Sequence, residues 1–185
     1  AENGLNDLAA YFLFQEGFPG WLHCVNLGAT TIWERWNSVL DDGAISGTGM
    51  NSLNHYAFGA ISEWLYRYVA GINAVERAPG FKHSLLRPLP NSQLKHASAS
   101  IETPYGTLRS GWKLNEGRIE LEFEIPFNAT AEIILPDAHG AEIMENGVRL
   151  AEGPIVRGSG VWKYSYVPNG ETIDRRVPAV TKPNI

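Results

Sequence analysis

Apolar positions recur along this chain with two different periods, and the change from one to the other divides it. Leu5, Leu8, Ala9, Phe12 and Leu13 repeat at intervals of three and four, with Asn3 available as a cap. This spacing predicts an amphipathic helix that stops at Gly17, ahead of Phe18-Pro19-Gly20. Trp21 to Leu27 predicts a second, short helix ended by Gly28. Thr30-Thr31-Ile32 is β-branched and reads as extended, whereas Asp41 to Asn54 is rich in glycine and polar residues and predicts a long loop. From His55 to Gly71 apolar residues cover two adjoining faces, Phe58, Leu65 and Val69 on one and Ile61, Trp64 and Tyr68 on the next. So little polar surface predicts an inner helix, capped by Ser52 or Asn54 and stopped by Gly71.

After Ala74 the period becomes two. Segments 97–103, 106–114, 118–125 and 130–135 alternate apolar with polar residues and read as strands, as do 143–145, 148–150 and 161–166. Pro104-Tyr105-Gly106, Asn115-Glu116-Gly117 and Glu145-Asn146-Gly147 supply turns between them. Glu120, Glu122 and Glu124 share one strand face opposite Ile119, Leu121, Phe123 and Ile125, the pattern of a solvated face rather than of a catalytic cluster. The organisation expected is therefore α+β: helices over 1–75, an antiparallel β-sandwich over 76–174, and a tail over 175–185.

Composition narrows the partners. With 44% hydrophobic residues, six Trp, seven Tyr and seven Phe, the 185 residues hold enough apolar mass for real cores. A net charge of -5 lacks the basic footprint that nucleic acid or an anionic membrane surface requires, and no apolar run approaches a membrane span. Cys24 is the single cysteine and reads as a small apolar filler. No Cys/His spacing suggests zinc, Asp41-Asp42 alone is too sparse for calcium, and no cofactor is implied. The chain opens straight into a helical pattern, as expected of a portion of something longer whose leader, if any, would lie upstream.

One stretch mixes chemistries that a core does not need. In Gly28-Ala29-Thr30-Thr31-Ile32-Trp33-Glu34-Arg35-Trp36-Asn37 a carboxylate stands between two indoles, beside a guanidinium. Indoles offer apolar faces on which sugar rings lie, so Glu34 is a candidate acid or base in a carbohydrate site. The same residues read equally well as core indoles at Trp33 and Trp36 with a surface pair at Glu34 and Arg35. His55, expected in the first helical turn, is a candidate contact for a sugar hydroxyl or else a structural histidine.

Together, Gly-Ala-Thr-Thr-Ile-Trp-Glu-Arg-Trp and the later Ser-Leu-Asn-His-Tyr-Ala-Phe-Gly-Ala resemble the carboxy-terminal part of the bacterial α-L-rhamnosidases of glycoside hydrolase family 78. Pro79-Gly80-Phe81-Lys82 stands where that family passes into its terminal β-sandwich. The resemblance implies the last helices of an (α/α)6 barrel and, in the whole protein, inverting hydrolysis of rhamnose-containing oligosaccharides or glycosides. It implies Glu34 as general base, His55 on the sugar, and Trp33, Trp36 and Arg35 shaping the pocket. The general acid would lie upstream, so the chain alone is expected to be inactive and to self-associate through helices that lack their barrel neighbours. The alternative reading is a non-catalytic carbohydrate-binding or structural β-sandwich with a helical adapter, Trp112 and Trp162 serving as platforms.

Overall fold

The structure is a computed structural model that describes residues 3–47, 49–91 and 93–169; the expected tail over 175–185 lies outside them. The chain divides into two compact units, the first reaching Trp64 and the second beginning at Leu65.

In the first unit, α1 (Asn6–Leu13) and α2 (Trp21–Asn26) form where helical periodicity placed them, although α1 ends at Leu13, short of the expected stop at Gly17. The cap of α1 is Leu5, with no side-chain bond, so Asn3 does not serve. Asn6 is used differently: its Oδ1 accepts from Trp64 Nε1 at 2.9 Å, tying α1 to α3 (Ile61–Trp64). Leu5, Leu8 and Phe12 form a stripe on α1 that is exposed rather than buried.

The long helix expected over His55–Gly71 is much shorter. Residues 55–60 are turns, α3 is a single turn, and Leu65–Val69 is a π turn closed by Ala70 N donating to Leu65 O at 2.8 Å. Local side-chain bonds win over helix nucleation here: Ser52 Oγ accepts from Asn54 N at 3.2 Å, and His55 Nδ1 accepts from Ala57 N at 2.9 Å. The residues expected to cap a helix instead hold a turn of their own.

The second unit is a β-sandwich. One sheet has the order β3 (His96–Thr103), β4 (Gly106–Asn115), β5 (Arg118–Ile125), β10 (Gly160–Tyr166), β7 (Met144–Glu145), β8 (Val148–Arg149), antiparallel throughout. The other has the order β1 (Ile72–Ala74), β2 (His83–Leu86), β6 (Thr130–Ile133), β9 (Ile155–Arg157). Its β2–β6 pair is parallel, a departure from the purely antiparallel expectation. Because β1 belongs to this sheet, the sandwich takes in residues ahead of position 76.

Alternation in β5 buries Ile119, Leu121, Phe123 and Ile125 and leaves three glutamates outside. Register places each beside a cation: Lys113–Glu120 at 2.8 Å, Lys163–Glu122 at 3.0 Å and Arg109–Glu124 at 3.4 Å. The glutamate row is thus a solvated, ion-paired face.

Entry into the sandwich is fixed by buried polar bonds. Carbonyls at the end of the π turn have lost helical partners, and the inner face of β4 satisfies them: Trp112 Nε1 donates to Val69 O at 2.7 Å and Ser110 Oγ to Ala70 O. Gly71 follows at φ 79°, with a built Cβ only 2.1 Å from Pro88 N and 2.3 Å from Arg87 C. No side chain fits there.

Candidate active site

The two sequence motifs meet within the first unit. Thr31 Oγ1 donates to Leu53 O, His55 N to Ile32 O at 2.8 Å, Glu34 N to Ser52 O at 2.9 Å, and an Arg35 Nη to Met50 O. From Ile32 through Glu34 to Arg35 the partners fall from His55 through Ser52 to Met50, so 32–35 and 50–55 run antiparallel without forming a regular ladder. The β-branched Thr30-Thr31-Ile32 run, expected to be extended, forms no strand, and Thr30 and Thr31 lie in a bend. Near its midpoint the Ser52 amide donates to Glu34 Oε2 at 2.7 Å, so Glu34 and Ser52 are bonded in both directions. The carboxylate is half-buried and oriented by a backbone donor, which has no rotamer of its own to lose.

The intervening loop is ordered by its own polar groups. Leu40 N donates to Ala44 O at 2.8 Å, and Asp42 Oδ1 accepts from Ala44 N at 2.9 Å, closing an exposed turn. Asp41 and Asp42 sit at that solvated tip. At the base of the loop, Asn51 Nδ2 donates to Ser38 O at 3.0 Å and to Ser46 O at 3.3 Å.

His55 is exposed, and the shortening of the expected helix places it outside any first helical turn. Trp33 is buried at 6% exposure and Trp36 is half-buried. Trp36 stacks on Phe58 at 3.7 Å and 11° and meets the edge of Trp21 at 5.2 Å. These rings, with Cys24, Val25 and residues 29–33, line a largely apolar cavity of about 270 Å³. Glu34, Arg35 and His55 are not among its lining residues, so the structure gathers Trp33 and Trp36 around one feature and Glu34 and His55 along another. Cys24 is buried and faces Trp36 O at 3.7 Å, and burial pushes its thiol pKa up, consistent with a packing role.

Sequence reasoning treated Ser52 only as a helix cap and did not single out Asn51, Trp21 or Phe58. Asn-Ser-Leu-Asn is ordinary loop composition, and only the pairing of the two segments reveals what Asn51 and Ser52 hold. Trp112, offered as a sugar platform in the alternative reading, is 4% exposed and belongs to the core. Arg157 lies over the Trp162 ring at 5.2 Å, and Trp162 Nε1 donates to Gly158 O at 3.0 Å. Among the described residues there is no group of His, Cys, Asp and Glu that could hold a metal, and no helix long and apolar enough to cross a membrane.

Residues 1–69 match the family model described as the bacterial alpha-L-rhamnosidase 6 hairpin glycosidase domain, and residues 71–149 match the bacterial alpha-L-rhamnosidase C-terminal domain. The chain belongs to the bacterial alpha-L-rhamnosidase family. An alpha-L-rhamnosidase of Formosa agariphila is 40% identical over 152 residues, covering 82% of this chain and 16% of the relative. One from Alteromonas sp. is 41% identical over 138 residues, covering 75% of this chain and 15% of the relative.

Among solved structures, the alpha-L-rhamnosidase of Streptomyces avermitilis complexed with L-rhamnose aligns with a TM-score of 0.75 at 35% identity, over 89% of this chain and 16% of that one. The native enzyme of Aspergillus terreus aligns with a TM-score of 0.75 at 32% identity, over 89% of this chain and 18% of that one. The chain therefore spans about one sixth of the length of these relatives. Its α+β architecture, barrel helices followed by a β-sandwich, is that of the family.

Proposed function

We propose that this chain is the carboxy-terminal part of an inverting α-L-rhamnosidase and supplies the general base, Glu34, for hydrolysis of terminal α-linked rhamnose from oligosaccharides and glycosides. The observation that carries the reading is the Ser52 amide on Glu34 Oε2, which presents one carboxylate in a fixed orientation within the paired motifs. A water oxygen attacks the anomeric carbon while Glu34 takes its proton. The bond to the leaving oxygen breaks on the opposite ring face as a second carboxylic acid protonates that oxygen. That acid belongs to another segment of the whole protein, standing roughly 6.5–9.5 Å from the base as inversion requires. Arg35, by holding Met50 O, keeps the two motifs together, and His55, exposed beside them, contacts the sugar. Trp33 and Trp36 act as the packed floor under the motif rather than as direct walls beside Glu34.

The chain alone carries one half of this acid-base pair and is inactive by this account. Residues Leu5, Leu8 and Phe12 face other helices of the barrel in the whole protein and other copies in the isolated chain. Assaying the full-length protein on a panel of aryl glycosides, with the anomeric form of the first product followed by NMR, tests the reading. Release of the β-anomer of rhamnose is expected. Retention of configuration, or preference for another sugar, would overturn it.

A further inference from the structure

Glu34 is oriented by an amide on a loop, and a loop amide is only as fixed as whatever holds the loop. The turn immediately after Glu34 is locked by Ser38, which is fully buried: its Oγ accepts from Arg35 N at 3.1 Å and its N donates to Arg35 O at 3.1 Å. The Ser38 carbonyl then receives both Ser46 N, at 3.0 Å, and Asn51 Nδ2. The second Asn51 amide hydrogen goes to Ser46 O. Asn51 is covalently next to Ser52, so one side chain fixes the Ser52 amide against the very turn that carries Glu34.

The other end of this side chain argues the same way. Asn51 Oδ1 is buried and has no hydrogen-bond partner among the described residues, an unfavourable arrangement for an amide oxygen. Flipping the amide would not relieve it, because the oxygen would then face two carbonyl oxygens. What compensates is the pair of donors. The Asn51 side chain is thus held by its two donors, which point at Ser38 O and Ser46 O.

We propose that Asn51 is a positioning residue for the Glu34 carboxylate, acting through the Ser52 amide; the inference rests on the reading of Glu34 as general base. Misplacement of a reacting group by about 1 Å can cost 10²-fold, so loosening this tie acts on turnover more than on sugar binding.

The test is a cycle in the full-length protein with an aryl α-L-rhamnoside, using Asn51→Ala, Asn51→Asp, Glu34→Gln and the Glu34→Gln/Asn51→Ala pair. Asn51→Asp keeps the shape and loses the donors, and it serves if Asn51→Ala does not fold. Expected are a fall in kcat of tenfold or more for both single Asn51 variants with KM within threefold, and a change under twofold when Asn51→Ala is added to Glu34→Gln. If Glu34→Gln is inactive but Asn51→Asp retains kcat, or Asn51→Ala multiplies the Glu34→Gln defect, Asn51 does not act through Glu34 while the base assignment stands. Full activity of Glu34→Gln would overturn both.

Discussion

Glu34 and Ser52 are bonded to each other twice, amide to carbonyl at 2.9 Å and amide to carboxylate at 2.7 Å. The first bond sets the separation of the two segments and the second turns the side chain. In the full-length protein, Glu34→Gln keeps the volume and an oxygen for the Ser52 amide while removing the proposed base. A loss of roughly 10²–10⁴ in kcat is expected, with substrate affinity largely kept. Steady-state kinetics decide it, and a loss under tenfold would make Glu34 a structural residue.

His55 makes the contrasting case. Its side chain is exposed and accepts a local bond from Ala57 N, while its backbone N–H, which any residue supplies, makes the bond to Ile32 O. His55→Ala is therefore expected to raise KM or weaken rhamnose binding in the full-length protein, with stability changed by less than about 1 kcal/mol. Calorimetric titration with rhamnose and a thermal melt on one preparation separate the two. Unfolding without change in affinity would identify a structural histidine.

How legible these features were differs with the physics behind them. Strands β3, β4 and β5 could be read to within a residue because each is long and more covered on one face than on the other, half-buried in β3 and buried in β4 and β5, so that alternation is the dominant signal. Strands β1, β2 and β9 have three or four residues, too few to show a period, and their positions are set by partners distant in sequence. The His55–Gly71 segment has the composition of a helix, yet Ser52 and His55 bond their own backbone and Leu65–Val69 adopts a π turn. Glu34 stood out through its neighbours Trp33 and Trp36. The role of Asn51 did not, because it resides entirely in a pairing between segments.

Gly71 predicts a sharp stability effect. A methyl group there would lie within 2.4 Å of backbone atoms of Arg87 and Pro88, and backbone cannot rotate aside as a side chain can. The residue is also left-handed at φ 79°, and its carbonyl accepts from Arg87 N at 2.8 Å. Gly71→Ala is expected to destabilise the sandwich by more than ~2 kcal/mol. Denaturant unfolding followed by Trp fluorescence checks this, and a change below about 0.5 kcal/mol would contradict the close approach.

Glu145 gives the fold an acid-sensitive tie. Arg157 on β9 and Tyr164 on β10 both donate to Glu145 Oε1 on β7, each at 2.6 Å, so the group joins the two sheets. Burial works against the ionised carboxyl, but the bonds from Arg157 and Tyr164 outweigh it and hold the pKa below the ordinary carboxylate value. A group depressed in the folded state stabilises fully above its unfolded pKa, and that stabilisation is lost as pH falls through the folded value. Melting temperature is therefore expected to drop on the acid side of the normal carboxylate range, and Glu145→Gln is expected to be less stable at neutral pH with a flatter acid limb. Parallel limbs for the two proteins would exclude Glu145 as the source.

The isolated chain is expected to associate. Leu5, Leu8 and Phe12 lie at spacings of three and four on α1 and are 57%, 45% and 51% exposed, while Phe18, Val25 and Tyr56 are also exposed. Burying a large apolar side chain contributes roughly 1.5–3 kcal/mol, and a contiguous patch beyond a few hundred Å² is uncommon on a monomer. Three such residues on one helical face supply a drive comparable to the whole stability of a small domain. Light scattering on residues 1–185 should give a mass above the monomer, with binding of an apolar dye. Leu8→Lys combined with Phe12→Lys should restore the monomer and abolish dye binding, because the charges replace two of the three apolar residues of the stripe. If the unmodified chain is strictly monomeric and binds no dye, the stripe is not adhesive and the helical unit needs no neighbours.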